Sequence, residues 1–405
     1  MHLTLEDSLS GERRPVRSGT RGAVGLYVCG PTVYDLAHVG HARTYLYFDV
    51  VRRFLESEGF RVRHVMNVTD VEDKIDQRAA ALGMTSRALA RREEKGFFRD
   101  LAALGILNPQ YRPRASEYIP EMTRIARSLE RTGRVRRTGD EWVYEPPERA
   151  EGENFPTGRE LARHAVPERG HPFPTRGGGE RSILVWKLQN GPRPSWTSSW
   201  GRGVPGWHLE CFAMATRLLG IPVDLHGGGR DLIYPHHYAE NEIAMALDRT
   251  RFSRMFLHTG FVLRDGSKMS KSTGNLVPIR TVLTDVSAGA LRWYLIRPLY
   301  SDRLGWSARD LARARDEYEG VRRSFGEWLA PGAGGRWGAS RVRSLAEGVR
   351  RDLAEGLRTD RVVPRLALFA EGLGREDSGR VSRGERREAR EAVRSIERRT
   401  GIPLL

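Results

Sequence analysis

The sequence predicts an α/β fold: a doubly wound, Rossmann-like parallel sheet carrying an insertion and followed by a C-terminal α-helical bundle. Three observations lead there. Between residues 20 and 110 short apolar runs alternate with helical stretches, the pattern of a parallel sheet wrapped by crossover helices. From about 115 to 190 proline, glycine and charge break that pattern, and at 200–285 it returns. Beyond it the chain reads as mostly helical, and 405 residues exceed what one hydrophobic core normally holds.

The elements follow in order. Gly25 to Cys29 is a first strand, Thr44 to Glu58 a helix, Val62 to Val68 a second strand and Ser86 to Leu104 a second helix. These fill a first half-domain over 1–114. The interrupted stretch, with Pro146-Pro147 and Arg176-Gly177-Gly178-Gly179, makes an inserted subdomain over 115–190 that caps the site. Residues 191–286 supply the second half, with a strand at Ile221 to Leu225. A helical connecting region spans 287–330, with helices at Ala288–Arg297 and Ser307–Leu329. Pro331-Gly332-Ala333-Gly334-Gly335 then opens a helical domain over 331–405.

Two short strings carry ATP chemistry. His38-Val39-Gly40-His41 follows the first strand and opens a helix, where imidazoles reach a phosphate, Gly40 lets the nucleotide lie against bare backbone, and the helix terminus favours negative charge. Lys268-Met269-Ser270-Lys271-Ser272 puts two ammonium groups three residues apart on a loop that can close over a departing pyrophosphate. A Lys/Ser run alone reads as a solvated turn. Here, however, the chain has only five lysines (Lys74, Lys95, Lys187, Lys268 and Lys271) in an otherwise arginine-based sequence, and the two cations are not interchangeable at a phosphate. His226-Gly227-Gly228-Gly229 with Asp231 reads as an adenosine contact, the glycines allowing close approach and the carboxylate accepting a ribose hydroxyl.

A formal charge of +16 points to a polyanionic partner such as RNA. No run of eighteen apolar residues and no signal leader is found, so no membrane association and a cytoplasmic location are expected. Two cysteines, Cys29 and Cys211, make no disulfide framework. With His236 and a following glutamate they make a tetrahedral zinc set by residue type, although buried free thiols are the commoner reading of an isolated pair.

Five ordered strings resemble cysteinyl-tRNA synthetases, a family of class I aminoacyl-tRNA synthetases. They are Tyr27-Val28-Cys29-Gly30-Pro31-Thr32-Val33-Tyr34-Asp35 running into His38–His41, Asn67-Val68-Thr69-Asp70-Val71-Glu72-Asp73-Lys74-Ile75, Pro205-Gly206-Trp207-His208-Leu209-Glu210-Cys211, His226 to Leu232, and Lys268 to Asn275. The resemblance covers most of residues 20–310. It implies activation of L-cysteine with ATP and Mg2+, transfer to tRNA(Cys), and one Zn2+ per chain whose preference for a thiolate excludes serine. It also implies a cysteine pocket formed by Cys29, Thr69 and Trp207, and a monomeric state.

Two departures leave alternatives open. The family string Pro-His-His-Glu-Asn-Glu reads here as if Tyr238-Ala239 were inserted. A helix beginning at Pro235 makes Glu240 the fourth metal ligand, one turn from His236, whereas alignment of the string makes it Glu242. The C-terminal part is short for the family. An amine acceptor, such as the amino-sugar inositol used by the related mycothiol-pathway ligases, is therefore an alternative to tRNA. An inactive synthetase-like binding module is a second.

Overall fold

The computed structural model describes residues 2–19, 22–148, 181–189, 193–269, 274–330, 338–373 and 382–405. A hairpin of β1 (Thr4–Glu6) and β2 (Arg13–Pro15) precedes β3 (Ala23–Val28), whose Ala-Val-Gly-Leu-Tyr-Val run is buried at all but one position. Near-continuous burial is what a parallel strand covered on both faces requires. Helix α1 (Val39–Ser57) starts where the His38 side chain accepts the Gly40 amide and stops before Gly59, whose φ of 89° suits glycine. β4 (Arg61–Met66), α2 (Asp73–Ala81) and α3 (Ser86–Ala103) complete the first half.

The inserted region opens on α4 (Ile119–Glu130), amphipathic and buried through Ile119, Met122, Ala126 and Leu129. Its sheet comprises β5 (Val135–Thr138), β6 (Glu141–Tyr144), β7 (Ile183–Leu188), β8 (Trp196–Ser198) and β9 (Gly201–Pro205), in the order β5-β6-β7-β9-β8 with every pair antiparallel. The inserted sheet therefore runs on to Pro205, past the expected boundary at 190. Arg176–Gly179 lies outside the described residues, as does the Pro331–Gly335 string.

The second half contributes α5 (Trp207–Leu219), β10 (Leu225–Gly229), α6 (Tyr238–Asp248) and β11 (Phe256–Thr259). The main sheet is β11-β10-β3-β4, all parallel. β3 joins by crossover to β4 on one side and pairs with the much later β10 on the other, which makes the switch point of a doubly wound sheet at their carboxyl ends. The strand expected at 221–225 begins instead at Leu225 and runs through the glycine triplet. The reason is packing. A Cβ on Gly227 would sit 2.2 Å from Phe48 Cζ of α1, so only a bare backbone lets the helix lie on this central strand.

A small sheet, β12 (Val262–Arg264), β13 (Ser267–Lys268) and β14 (Leu304–Gly305), brackets α7 (Ile279–Asp285) and α8 (Ala288–Leu295). The C-terminal helices are α9 (Ala308–Trp328), α10 (Gly338–Ala354), α11 (Thr359–Leu373) and α12 (Arg383–Thr400). One apolar core runs from α1 and α3 through all of them, ending on Ile402 and Leu404. A second core encloses Cys29, Cys211 and the inserted region.

A buried ion pair fastens the bundle to the sheet. Arg292 donates to Asp49 Oδ2 at 2.7 Å and to the Thr400 carbonyl at 3.1 Å, while Arg53 holds the same carboxylate at 2.8 Å. These cations hold Asp49 below its usual range against the opposing effect of burial. At the end of α1, the Arg350 hydrogen bond lowers the largely covered Glu58 carboxyl to about 2, adding a tie from α10. Arg292→Ala strands part of the Asp49 charge and should lower unfolding stability by about 3 kcal/mol, read from the urea midpoint. An unchanged midpoint would show that Arg53 alone satisfies the carboxylate.

Candidate active site and metal centre

The carboxyl ends of β3 and β10 bring the sequence-predicted residues together. His38 caps α1 through Nδ1, 3.1 Å from the Gly40 amide, and its ring stacks on His41 with centroids 3.7 Å apart. A Cβ on Gly40 would lie 2.9 Å from that ring, so glycine is needed for the cap as much as for a ligand. Gly228 and Gly229 continue β10 to a 3-10 turn that carries Asp231. Lys268 reaches across from β13. Its ammonium lies 3.2 Å from Asp231 Oδ2 and 4.7 Å from the centroid of the Phe261 ring. Lys271 lies outside the described residues.

The second group is buried directly behind. Cys29 directly follows β3, its amide donating to the Gly227 carbonyl at 2.9 Å. Cys211 arrives one turn after Trp207 on α5. The ligand atoms of Cys29, Cys211, His236 and Glu240 all lie within 4.8 Å of one another. The thiol sulfurs are 3.8 Å apart, although 182 residues separate them in the chain. Tyr234 is extended (φ -135°, ψ 131°), but helical backbone then runs from 235 through 248, so His236 and Glu240 sit one turn apart and Tyr238-Ala239 is not looped out. Glu242 is buried on α6 but is not in this group.

Histidines fix the geometry. His208 Nδ1 meets His236 Nδ1 at 3.0 Å, leaving Nε2 of His236 to face Glu240 Oε1 at 3.4 Å. His226 Nε2 is 2.8 Å from Glu240 Oε2, and His237 Nε2 is 3.3 Å from Cys29 Sγ with His258 behind it at 2.7 Å. Glu240 Oε1 is buried and accepts no hydrogen bond among the described residues. Burial raises both thiols and Glu240, and burial with neighbouring imidazoles holds His237 far below its usual range. Two soft donors, an imidazole and a carboxylate with an open lone pair, already oriented by outer partners, are suited to a divalent cation that displaces the thiol protons.

The residues expected to line an amino-acid pocket adjoin. The Trp207 ring stacks on His236 with centroids 4.1 Å apart. Thr69 is buried, its hydroxyl accepting from Asn67 at 3.2 Å. Sequence reasoning gave no role to Glu210, whose buried carboxyl lies beside Thr69 and is raised well above its usual range by burial. Nor did it single out His208, His237 and His258, and it read His226 as part of a nucleotide contact. The available signal was crowding: five of the chain's eleven histidines fall between 208 and 258.

The parallel sheet with its crossover helices and C-terminal helices, with the stacked His38–His41 pair, the Lys268–Asp231 pair and a buried Cys/His/Glu cluster near its switch point, has the fold of a class I aminoacyl-tRNA synthetase. Solved structures with the same fold include Mycobacterium tuberculosis methionyl-tRNA synthetase bound by methionyl-adenylate (TM-score 0.64, 18% identity, 94% of this chain and 92% of that one). An Agrobacterium radiobacter ternary complex of LeuRS, tRNA and LeuAMS is another (TM-score 0.66, 12% identity, 95% and 85%). Residues 15–316 match the family model for the class I (C) tRNA synthetase catalytic domain. The chain belongs to the cysteine--tRNA ligase family. It is 40% identical over 329 residues to that ligase of Solidesulfovibrio magneticus, covering 80% of this chain and 66% of the relative. It is 39% identical over 354 residues to that of Anaeromyxobacter dehalogenans, covering 82% and 71%. Thermococcus onnurineus has a further relative at 38% over 79% of this chain and 67% of its own. Among the described residues no helix is long and apolar enough to cross a membrane.

Proposed function

We propose that this chain is a cysteine--tRNA ligase: it activates L-cysteine with Mg2+-ATP to cysteinyl-adenylate and transfers the cysteinyl group to the 3′ end of tRNA(Cys), as a cytoplasmic monomer. The observation that carries the reading is the buried Cys29–Cys211–His236–Glu240 set beside the nucleotide motifs. These four residues would hold zinc. Bound there, zinc supplies a soft Lewis acid that prefers the thiolate of cysteine to the hydroxyl of serine.

The chain's own groups supply positioning and charge. Thr69 and Trp207 line the amino acid's place, the hydroxyl orienting its polar end and the indole forming an apolar wall. The cysteine carboxylate attacks the α-phosphorus of ATP and pyrophosphate leaves. His38 and His41 lie at the helix start, where the phosphates gain from the amides of α1. Asp231 accepts a ribose hydroxyl, and the backbone at Gly228–Gly229, where β10 ends, lies along the adenosine, whereas Gly227 is given over to packing against Phe48. Lys268, with Lys271 on the same loop, neutralises charge on the departing pyrophosphate. In the second step the 3′-terminal hydroxyl attacks the adenylate carbonyl, an ester forms and AMP departs. No side chain need become a covalent nucleophile.

The test is direct. Cysteine should support ATP–pyrophosphate exchange where serine does not, and labelled cysteine should pass to tRNA(Cys). Transfer to an amino-sugar inositol in place of tRNA would overturn the acceptor. Absence of exchange in the metal-replete protein would overturn the activity itself.

A further inference from the structure

We propose that Arg43 is a positioning residue for adenylate formation: its buried guanidinium ties the base of the β12–β13 hairpin to α1 and so sets where Lys268 stands relative to the His38–His41 helix start. This rests on the pyrophosphate role given to Lys268 above and deepens it. Arg43 lies two residues beyond His41 and roughly 200° round the helix from it, so α1 turns imidazole to one side and guanidinium to the other.

The side chain is fully buried, and its bonds all run to backbone. Nη1 donates to the Gly260 and Phe261 carbonyls, each at 3.1 Å, and Nη2 to the Leu299 carbonyl at 3.0 Å. Gly260 and Phe261 lead into β12 and Leu299 precedes β14, so one side chain holds the approaches to both of these parallel neighbours. Among the described residues Arg43 forms no ion pair, and its buried Nε donates to nothing. A buried cation without a carboxylate lowers stability, and an apolar side chain of similar length would fill the space without that cost. What the guanidinium adds is a planar fork of directed bonds, which fixes the position of the backbone it grips.

That backbone supports the lysine. The Phe261 ring lies 4.7 Å from the Lys268 ammonium, and the Phe261 carbonyl also accepts the Leu304 amide at 2.9 Å. Leu263 pairs with Lys268 across the hairpin. The packing leaves little slack, since a Cβ on Gly260 would lie 2.0 Å from the Asp302 carbonyl oxygen. Beyond the hairpin the chain returns to the same helix start: Val39 donates to the Val277 carbonyl at 2.9 Å and Ile279 to the Ala37 carbonyl at 3.0 Å. The lysine-bearing segment is thus tied to α1 on both sides, upstream through Arg43 and through the Thr44 and Thr259 hydroxyls at 2.8 Å.

The experiment is a double-mutant cycle in the full chain. Arg43→Met and Arg43→Lys are each made with Lys268 intact and with Lys268→Ala, and cysteine-dependent ATP–pyrophosphate exchange is measured. With Lys268 intact, Arg43→Met should lower kcat by roughly 10–10²-fold, the scale of misplacing one catalytic group, while KM for cysteine stays within about twofold of wild type. Arg43→Lys, whose ammonium cannot fork to three carbonyls, should fall between Met and wild type. In the Lys268→Ala background either change should cost at least about fivefold less, because misplacing a contact matters little once it is deleted. Equal losses in the two backgrounds, or a loss that falls on KM for cysteine, overturn the proposal. Amide deuteration read by mass spectrometry is a second arm that needs no activity: both variants should label residues 262–269 at least about tenfold faster, with β3 and α5 unchanged. Should Arg43→Met not fold, Arg43→Lys decides on the same two readouts. In a wild type that performs no pyrophosphate exchange, faster labelling confined to the hairpin keeps Arg43 as the holder of Lys268 and sinks the pyrophosphate reading. Unchanged labelling there sinks both.

Discussion

Replacing Cys211 by Ser should abolish stoichiometric metal and with it cysteine-dependent exchange. Wild-type protein is expected to carry about one zinc per chain, the content of a closed thiolate-imidazole-carboxylate set. The substitution changes one sulfur for oxygen in a pocket where Cys29 Sγ, His236 and Glu240 stay within 4.8 Å, so the fold has little reason to change. A hard hydroxyl in place of a thiolate removes the softest bond and the group that matches zinc. The outer partners sharpen the test. His208→Ala leaves all four ligands but frees the His236 ring, and affinity should fall about 10–100-fold. Glu240→Gln should lower zinc content while Glu242→Gln leaves it near one, because only the first carboxylate is in the cluster. Elemental analysis decides each case, and a wild type as metal-free as the Cys211 variant would sink the site.

Lys268→Ala should slow exchange by roughly 10²–10³-fold, the scale of losing one preorganised contact to transition-state charge. The Lys268 ammonium rests on Asp231 at 3.2 Å and over Phe261. It must leave that pair to meet pyrophosphate while the ribose takes the carboxylate. The loss should therefore fall on kcat, with KM for cysteine little changed. Asp231→Asn should act differently, raising KM for ATP, since it weakens the ribose contact and also releases the lysine. Exchange unaltered in Lys268→Ala would show that the loop does not act on the leaving group. Lys271→Ala is expected to resemble Lys268→Ala on sequence grounds alone.

What the sequence determined by itself lies within single elements. The Gly25–Val28 run and the Ser86 helix emerge where their periodicity puts them, because burial on a strand or helix face follows side chains only a few residues apart, and the helix expected at Thr44–Glu58 begins a turn earlier, at Val39. The ordered strings were equally legible, since each is a local constraint: a cap, a close approach or a paired charge. Tertiary structure decided what those strings meet. It made the glycine triplet part of a central strand, because Phe48 of α1 fills the space that the missing side chain of Gly227 leaves. It put Glu240, and not Glu242, within 4.8 Å of the two thiols and His236, because unbroken helix through Tyr238-Ala239 sets the phase. It gathered five histidines around two thiols from opposite ends of the catalytic region, and it buried Ile402 and Leu404 against the bundle. Such contacts join positions far apart in the chain. No local pattern encodes which distant partner will complete a buried donor, and only packing the whole core settles it.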